Sequence, residues 1–181
     1  MSVYRFEMET PRLWMREMRP EDAADFYALN ADPEVLKFTG DEPFKDVDDS
    51  RQFLENYPSI SYEKDGYGRW TCIEKSSGEI IGWCGLRLQS SGETDLGYRF
   101  HKRFWGKGYA TESSILSLNV GFEELHLSYI IARACDENVA SIRVMQKLGM
   151  HFREKEVFHG LPGSVYALKK EDWLLHRSTL L

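Results

Sequence analysis

The sequence predicts a mixed α/β (α+β) fold, a single domain over residues 1–181 with a central sheet of about seven strands covered by helices. Three observations predict it. Apolar residues recur at helical spacing in several stretches, as in Ile115, Leu118, Phe122 and Leu125. Between them lie runs rich in β-branched and aromatic residues, bounded by Gly/Ser turns such as Ser76-Ser77-Gly78-Glu79. The elements then alternate as strand–helix–strand units and hairpins, an order that a mixed sheet under helices accommodates. No repeat, low-complexity segment or linker interrupts the chain.

Arg12 to Met18 reads as the first strand. Pro20 opens a helix to about Asn30, because proline is favoured at the first helical position. Asp32-Pro33 restarts a short helical turn, and Asp46 to about Tyr57 forms the next helix, with Val47, Phe53 and Leu54 on its apolar side. The period changes at Gly68. Arg69–Lys75 and Ile80–Leu88 make a hairpin, and Glu93–Phe100 follows the turn Gln89-Ser90-Ser91-Gly92. Ala110 to about Glu124 is a helix, Ser128–Cys135 an apolar strand, and Asn138–Leu148 a helix with Val139, Ile142, Met145 and Leu148 inward, closed by Gly149. Met150–His159 and Ser164–Lys169 form a closing hairpin around Gly160-Leu161-Pro162-Gly163.

Composition narrows the function. Hydrophobic residues make up 42% and charged residues 29%, an ordinary soluble profile. No apolar run approaches the ~20 residues of a membrane span, and Met1–Glu7 lacks the apolar core of a signal peptide. These place the chain in the cytoplasm with no membrane partner. A net charge of −6 argues against nucleic-acid binding, which needs a basic face, and is compatible with a cationic acceptor. Cys72, Cys84 and Cys135 lie apart in apolar stretches without metal-ligand spacing, so they read as buried reduced thiols and no metal is expected. Cys135 beside Asp136 is a lesser candidate nucleophile.

The stretch Arg103-Phe104-Trp105-Gly106-Lys107-Gly108-Tyr109-Ala110 stands between a strand and a helix. Its two glycines allow backbone angles that converge several N–H groups on one anion. The following helix aims its unpaired N–H groups and partial positive charge at the same place, so a diphosphate is the natural occupant. A P-loop is excluded because Tyr109 follows Gly108, and a dinucleotide fingerprint because Thr111 stands at the third glycine position.

Arg103-x-x-Gly106-x-Gly108 resembles the R/Q-x-x-G-x-G/A signature of the GNAT acetyltransferases. The wider chain is similar to the branch of ribosomal-protein N-terminal acetyltransferases that includes RimJ and RimL. The matching segments are Thr10-Pro11-Arg12-Leu13 with Arg16, Pro20-Glu21-Asp22-Ala23, Asp32-Pro33-Glu34-Val35, Gly78-Glu79-Ile80-Ile81-Gly82, Gly85-Leu86 and Leu96-Gly97-Tyr98. Trp105 through Glu112, Asn138, Ser141, Lys147-Leu148-Gly149-Met150, Tyr166-Ala167-Leu168 and Trp173 complete the match.

The resemblance implies the GNAT fold: a mostly antiparallel sheet with helices on both faces and a splayed parallel strand pair at the acetyl-CoA site. Here that pair would be Glu93–Phe100 and Ser128–Cys135, hydrogen-bonding the pantetheine arm as an added strand. Tyr98, Phe100 and His101 would stand beside the arm. The loop amides from Arg103 to Ala110 (Arg103, Trp105, Gly106, Lys107, Gly108, Tyr109 and Ala110 among them) would hold the pyrophosphate, with Arg103 and Lys107 adding charge-assisted bonds. Many members self-associate through their sheets, so a homodimer is an allowed assembly.

The implied chemistry is direct acetyl transfer to a primary amine, first of all a protein N-terminus. Small amines, amino acids, polyamines and aminoglycosides are alternative acceptors. A CoA-binding sensor or assembly protein without turnover is a reading of another class. Transfer needs a neutral amine, a polarised carbonyl, a protonated leaving thiolate and alignment. A backbone N–H near Phe100 can polarise the carbonyl. Asn138 and Ser141 lie three apart at a helix start and read equally as a cap and a solvent serine; by resemblance Asn138 contacts the pantetheine and Ser141 bonds the departing sulfur. Tyr166 is a second candidate acid, or a half-buried strand tyrosine. Glu156 lies near the catalytic glutamate of that branch, although the following loop is shorter and carries Pro162 where aspartate is usual. Glu93, Asp95, a relayed water, His101 and His159 are the other bases, and Glu112 reads as structural. Phe38, Phe44, Trp70, Trp83 and Phe158 would supply aromatic surface to the acceptor site, and Asp46–Asp49 either attracts a cation or solvates a helix start.

Overall fold

The computed structural model describes residues 7–180, so the leader reading of Met1–Glu7 rests, Glu7 apart, outside the described residues. One eight-stranded sheet runs in the order β1-β2-β3-β4-β5-β6-β8-β7. Its strands are β1 (Met8–Glu9), β2 (Leu13–Glu17), β3 (Arg69–Glu74), β4 (Ile80–Leu88), β5 (Thr94–Phe100), β6 (Tyr129–Cys135), β7 (His151–Phe158) and β8 (Leu161–Lys169). Every neighbouring pair is antiparallel except β5 and β6. The strand beyond the expected seven is the two-residue β1, too short to show a period.

Helices cover both faces, each meeting its own apolar cluster. α1 (Ala23–Ala31), α2 (Pro33–Leu36), α3 (Val47–Ile60) and α4 (Tyr62–Asp65) close over Met18, Phe26, Leu29, Leu54, Tyr57 and Trp83. On the other face, α5 (Tyr109–Asn119), α6 (Val139–Lys147) and α7 (Lys170–His176) accompany the larger core of Trp70, Cys72, Cys84, Leu86, Leu118, Phe122 and Trp173. Strand alternation sorts them: in β3, Trp70 and Cys72 enter the larger core, whereas Arg69 and Thr71 face the first helices. Trp70 is fully buried and does not reach the acceptor region expected for it.

A buried ion cluster stitches the first layer to the sheet. Asp22, 2% exposed, accepts both forks of Arg16 at 2.8 and 2.7 Å and the Thr71 hydroxyl at 2.9 Å. A buried charge is tolerable only when so paired and hydrogen-bonded.

Helix starts follow local chemistry, with boundary shifts. A 3-10 turn over Pro20–Asp22 precedes α1, because Pro20 and the Asp22 contacts tighten the entry. Asp46 caps α3 by accepting from the Asp49 amide at 2.8 Å, so the acidic run serves a helix start. The helix expected to Glu124 ends its α part at Asn119 and finishes in a π turn over Val120–Glu124. Val139, expected inward, is 49% exposed, because α6 turns Met145 and Leu148 to the core instead. The closing hairpin turns at His159-Gly160, both with positive φ (51° and 78°), so Leu161 and Pro162 already belong to β8. α7, which the sequence reading omits, buries Trp173, whose indole donates to Asn119 Oδ1 at 3.0 Å.

Candidate active site

β5 and β6 meet only at Asp95 and Ile131. Beyond that point Leu96–Phe100 and Ala132–Cys135 run on without pairing to each other. The gap opens a cavity of about 1120 Å³ between the loop before α5, the start of α6, the α2–α3 loop and the tip of the β7–β8 hairpin. Among the described residues no group of three His, Cys, Asp or Glu is placed to hold a metal. No described helix is long and apolar enough to cross a membrane.

The loop end of the cavity presents main-chain N–H groups. Gly106 and Gly108 have φ of +73° and +86°. An added Cβ at Gly106 would meet nothing within 4 Å, so that glycine serves backbone conformation rather than clearance. The first helical bond of α5 runs from the Glu112 amide to the Gly108 carbonyl at 3.0 Å. None of the amides from Gly106 through Thr111 donates a hydrogen bond among the described residues. A run of unpaired N–H groups entering a helix N-terminus is a cradle for phosphoryl oxygens. These residues therefore fit a pyrophosphate.

Arg12 and Glu112 hold the cradle from behind. Glu112 accepts from the Thr10 hydroxyl at 2.6 Å, the Arg12 amide at 2.9 Å and Arg12 Nε at 2.6 Å. Arg12 Nη1 donates to the Lys107 carbonyl at 2.9 Å, and its guanidinium lies over the Tyr109 ring at 4.4 Å. Burial would raise the Glu112 pKa, but the bonds from Thr10 and Arg12 outweigh it and hold the carboxyl below the usual value of 4.5. A depressed carboxyl stabilises the fold above its unfolded pKa, and that gain vanishes as pH falls through the folded value. Glu112→Gln is expected to cost about 1.5–3 kcal/mol at pH 7, the range for hydrogen bonds to a charged group. Thermal melts should show the wild-type advantage shrinking as pH drops below about 4.

The middle of the cavity carries a hydroxyl pair. The Tyr98 hydroxyl on β5 lies 2.9 Å from Ser141 Oγ and 3.1 Å from the Ser141 carbonyl. Burial pushes the Tyr98 phenol above its usual value of 10, so it stays protonated. Asn138 caps α6, its Oδ1 accepting from the Ser141 amide at 3.3 Å, and also lines the cavity. Trp105 donates from Nε1 to the Phe100 carbonyl at 2.7 Å, which fixes the loop to the end of β5.

The far end is charged and aromatic. Trp83 lies between the guanidinium groups of Arg69 (4.5 Å) and Arg99 (5.3 Å). Asp95 accepts from Arg69 at 3.2 and 3.3 Å and from Gln89 Nε2 at 2.6 Å. Arg99 binds Asn30 and Asp41. Phe38, Phe44 and Phe158 line this end with Trp83. Gly40 sits against His159, where a Cβ would come within 2.0 Å of the imidazole, so the α2–α3 loop touches the hairpin tip.

Of the residues expected at the site, Tyr98, Phe100, Trp105, Gly106, Gly108, Tyr109, Ala110, Asn138 and Ser141 line the cavity. His101, Arg103, Lys107, Glu156 and Tyr166 lie outside its lining. Arg103 pairs with Glu79 at 2.9 Å, and Lys107 lies over the Phe104 ring at 4.9 Å. Burial and the neighbouring Arg103 lower the His101 pKa. Glu156 pairs with Arg133, a cavity residue, at 3.0 Å. Tyr166 is buried with its ring edge-on to Phe152. Glu93 pairs with Arg153. Cys135 is buried, and desolvation with Asp136 nearby raises its thiol, which disfavours a nucleophilic thiolate. Arg69, Arg99 and Arg133 escaped the sequence reading. Their available signal was a single cation within each of three strands of the central sheet, which burial obliges to find a partner.

A family model described as an acetyltransferase (GNAT) domain matches residues 12–151. An uncharacterised N-acetyltransferase of Bacillus licheniformis, p20, is 35% identical over 141 residues, 77% of this chain and 79% of that protein. The FsC-acetyl coenzyme A-N(2)-transacetylase of Aspergillus fumigatus is 28% identical over 92% of this chain and 77% of its own length. The solved structure of ribosomal-protein-S5-alanine acetyltransferase from Vibrio fischeri superposes with a TM-score of 0.76 at 16% identity, covering 93% of this chain and 99% of that one. At that identity the likeness is one of fold.

Proposed function

We propose the following reaction for this chain, which belongs to the GNAT acetyltransferase family: direct transfer of the acetyl group of acetyl-CoA to a primary α-amino group, without an acyl-enzyme. Acetyl-CoA supplies the acetyl group already activated as a thioester. The observation that carries the reading is the run of unpaired amides from Gly106 to Thr111 at one end of a cavity whose middle holds Ser141 and Tyr98.

The loop amides take the pyrophosphate, and Arg12 with Glu112 keeps them aimed. The facing edges of β5 and β6 offer main-chain groups to the pantetheine arm, in the manner of strand addition. The Ser141 hydroxyl, oriented by Tyr98, gives its proton to the departing thiolate, and Asn138 holds the start of α6 beside it. We assign the acid role to this pair in preference to Tyr166. Asp95, at the parting of the strands, keeps a carboxylate lone-pair site beyond those used by Arg69 and Gln89 and faces the incoming amine. Glu156 acts through Arg133. An α-amino group has a pKa near 8, so only a weak base is required.

A protein N-terminus is the acceptor supported by the segment resemblance to the ribosomal-protein branch, and the Vibrio fischeri fold relative is named for acetylation of an alanine of ribosomal protein S5. A small amine is favoured by the contact of Gly40 with His159 over the acceptor end and by the Aspergillus relative, named for transfer to an N(2) position. The test is thiol release from acetyl-CoA against peptides, amino acids, polyamines and aminoglycosides. The expected result is thiol release well above hydrolysis with α-amines. Tight CoA binding with every acceptor leaving the thioester intact would move the chain to the class of non-catalytic CoA sensors.

A further inference from the structure

The geometry points to an acceptor that carries a carboxylate beside its amine, recognised by the guanidinium groups of Arg87 and Arg133. The inference rests on the transfer reaction above and narrows its substrate class.

The floor of the acceptor end is one face of the sheet. In register, Arg87 on β4 stands opposite Asp95 on β5, and Asp95 stands opposite Ile131 on β6, two residues before Arg133. Side chains two apart on a strand share a face. Arg69, opposite Gly85, and Arg99, opposite Trp83, lie on the same face. All of these arginines and Asp95 line the cavity. Their charges do not cancel. Asp95 is committed to Arg69, and Arg99 to Asp41. Glu156 meets Arg133 only at Nε, so both terminal nitrogens of Arg133 lack a hydrogen-bond partner among the described residues. The Arg87 side chain has no hydrogen bond or ion pair among them, although a carboxylate stands directly across from it. Cross-strand opposites of unlike charge ordinarily pair; here Asp95 gives its oxygens to Arg69 and Gln89 instead.

The result, in a protein of net charge −6, is one exposed guanidinium without a carboxylate partner among the described residues (Arg87) and one half-buried guanidinium (Arg133) whose charge Glu156 balances but whose terminal nitrogens face the cavity unbonded. Glu34, Glu42 and Glu137 line the same cavity without pairing to either arginine. Neighbouring strands lie about 4.8 Å apart, so β4 and β6 stand roughly 10 Å apart where Asp95 meets Ile131, and Arg133 lies two residues further along β6, past the parting, so an acceptor must span the two long arginine side chains. A planar guanidinium binds a carboxylate through parallel N–H bonds. An amine beside that carboxylate falls over Asp95, at the parting of the strands. A lone amine such as a polyamine would meet the guanidinium groups with like charge.

The test compares pairs of acceptors that differ only in this group: each free amino acid against its amide, read as kcat/KM in the thiol-release assay. Wild type should prefer the acid by about tenfold or more, the range for one or two bonds to a charged group. Arg87→Gln should collapse that preference toward unity, and Arg87→Lys should restore part of it. Circular dichroism and the melting temperature verify the fold of each variant. Equal use of acid and amide by wild type, or a preference unchanged in Arg87→Gln, would overturn the inference. The same pairs measured for binding to the CoA-loaded protein by equilibrium dialysis read the preference without turnover. Absence of preference there overturns it too, whereas failure of acetyl-CoA to bind would strike the transfer reading itself. Peptides beginning with Asp against those beginning with Asn separate a side-chain carboxylate from that of a free amino acid.

Discussion

Gly108→Val is expected to weaken acetyl-CoA binding about 100-fold while leaving the protein folded. Gly108 holds φ at +86°, where a β-branched residue costs on the order of 1–3 kcal/mol. The loop relieves that strain by changing its dihedral angles, which swings the following amides away from their shared focus. Loss of two bonds to a charged group at roughly 1.5–3 kcal/mol each gives two orders of magnitude or more. A Cβ here would approach only Arg12 Nη2, at 3.3 Å, the far end of a flexible side chain, so packing is not the source of the effect. The matched control is Gly78→Val. Gly78 has φ of +72° and open space around it, in the β3–β4 turn. It should lose similar stability and bind the coenzyme as wild type does. Calorimetric titration of both variants checks the pair, and equal affinities would refute the loop's role.

Ser141→Ala is expected to lower kcat by about 10²–10⁴-fold, the usual contribution of a positioned acid, with little change in the KM for acetyl-CoA. Tyr98→Phe removes the partner hydroxyl but keeps the ring. Its effect should be smaller, about tenfold, because Ser141 survives with its orientation loosened. Burial raises the Tyr98 phenol, so the pair remains protonated and kcat should show no downward limb up to pH 10. Stopped-time thiol assays across that range check both statements. Equal losses in kcat and in coenzyme affinity would instead assign Ser141 to binding.

The phosphate loop was legible in the sequence because its chemistry is local. Two glycines, a strand before and a helix after are all neighbours in the chain, but the amides left unpaired, Gly106 to Thr111, only overlap the span Arg103 to Ala110 named from it, because Phe104 and Trp105 donate to the His101 and Lys102 carbonyls. Strand pairs joined by short turns, such as β3–β4, were legible for the same reason. The parting of β5 and β6 was implied only by resemblance, since period and composition do not report where a parallel pair separates. Contacts between distant residues stayed hidden. The Arg12–Glu112 clamp joins residues 100 positions apart, and Tyr98 meets Ser141 across 43. Arg103 carried the expected charge, yet Glu79 holds it at the outer side of the loop. A sequence shows that a cation is present, not which carboxylate competes for it. α7 was missed because it is seven residues long and its anchor, Trp173, is a single buried contact rather than a period.

On the proposed reading the main-chain amides of the loop before α5 receive the coenzyme's pyrophosphate, and amide chemical-shift mapping during an acetyl-CoA titration reads this contact residue by residue. The amides from Gly106 to Thr111 should move downfield together, saturating with the calorimetric affinity, and those of the remote Gly78 turn should stay still. Saturable binding that leaves the Gly106–Thr111 amides unmoved would contradict the account.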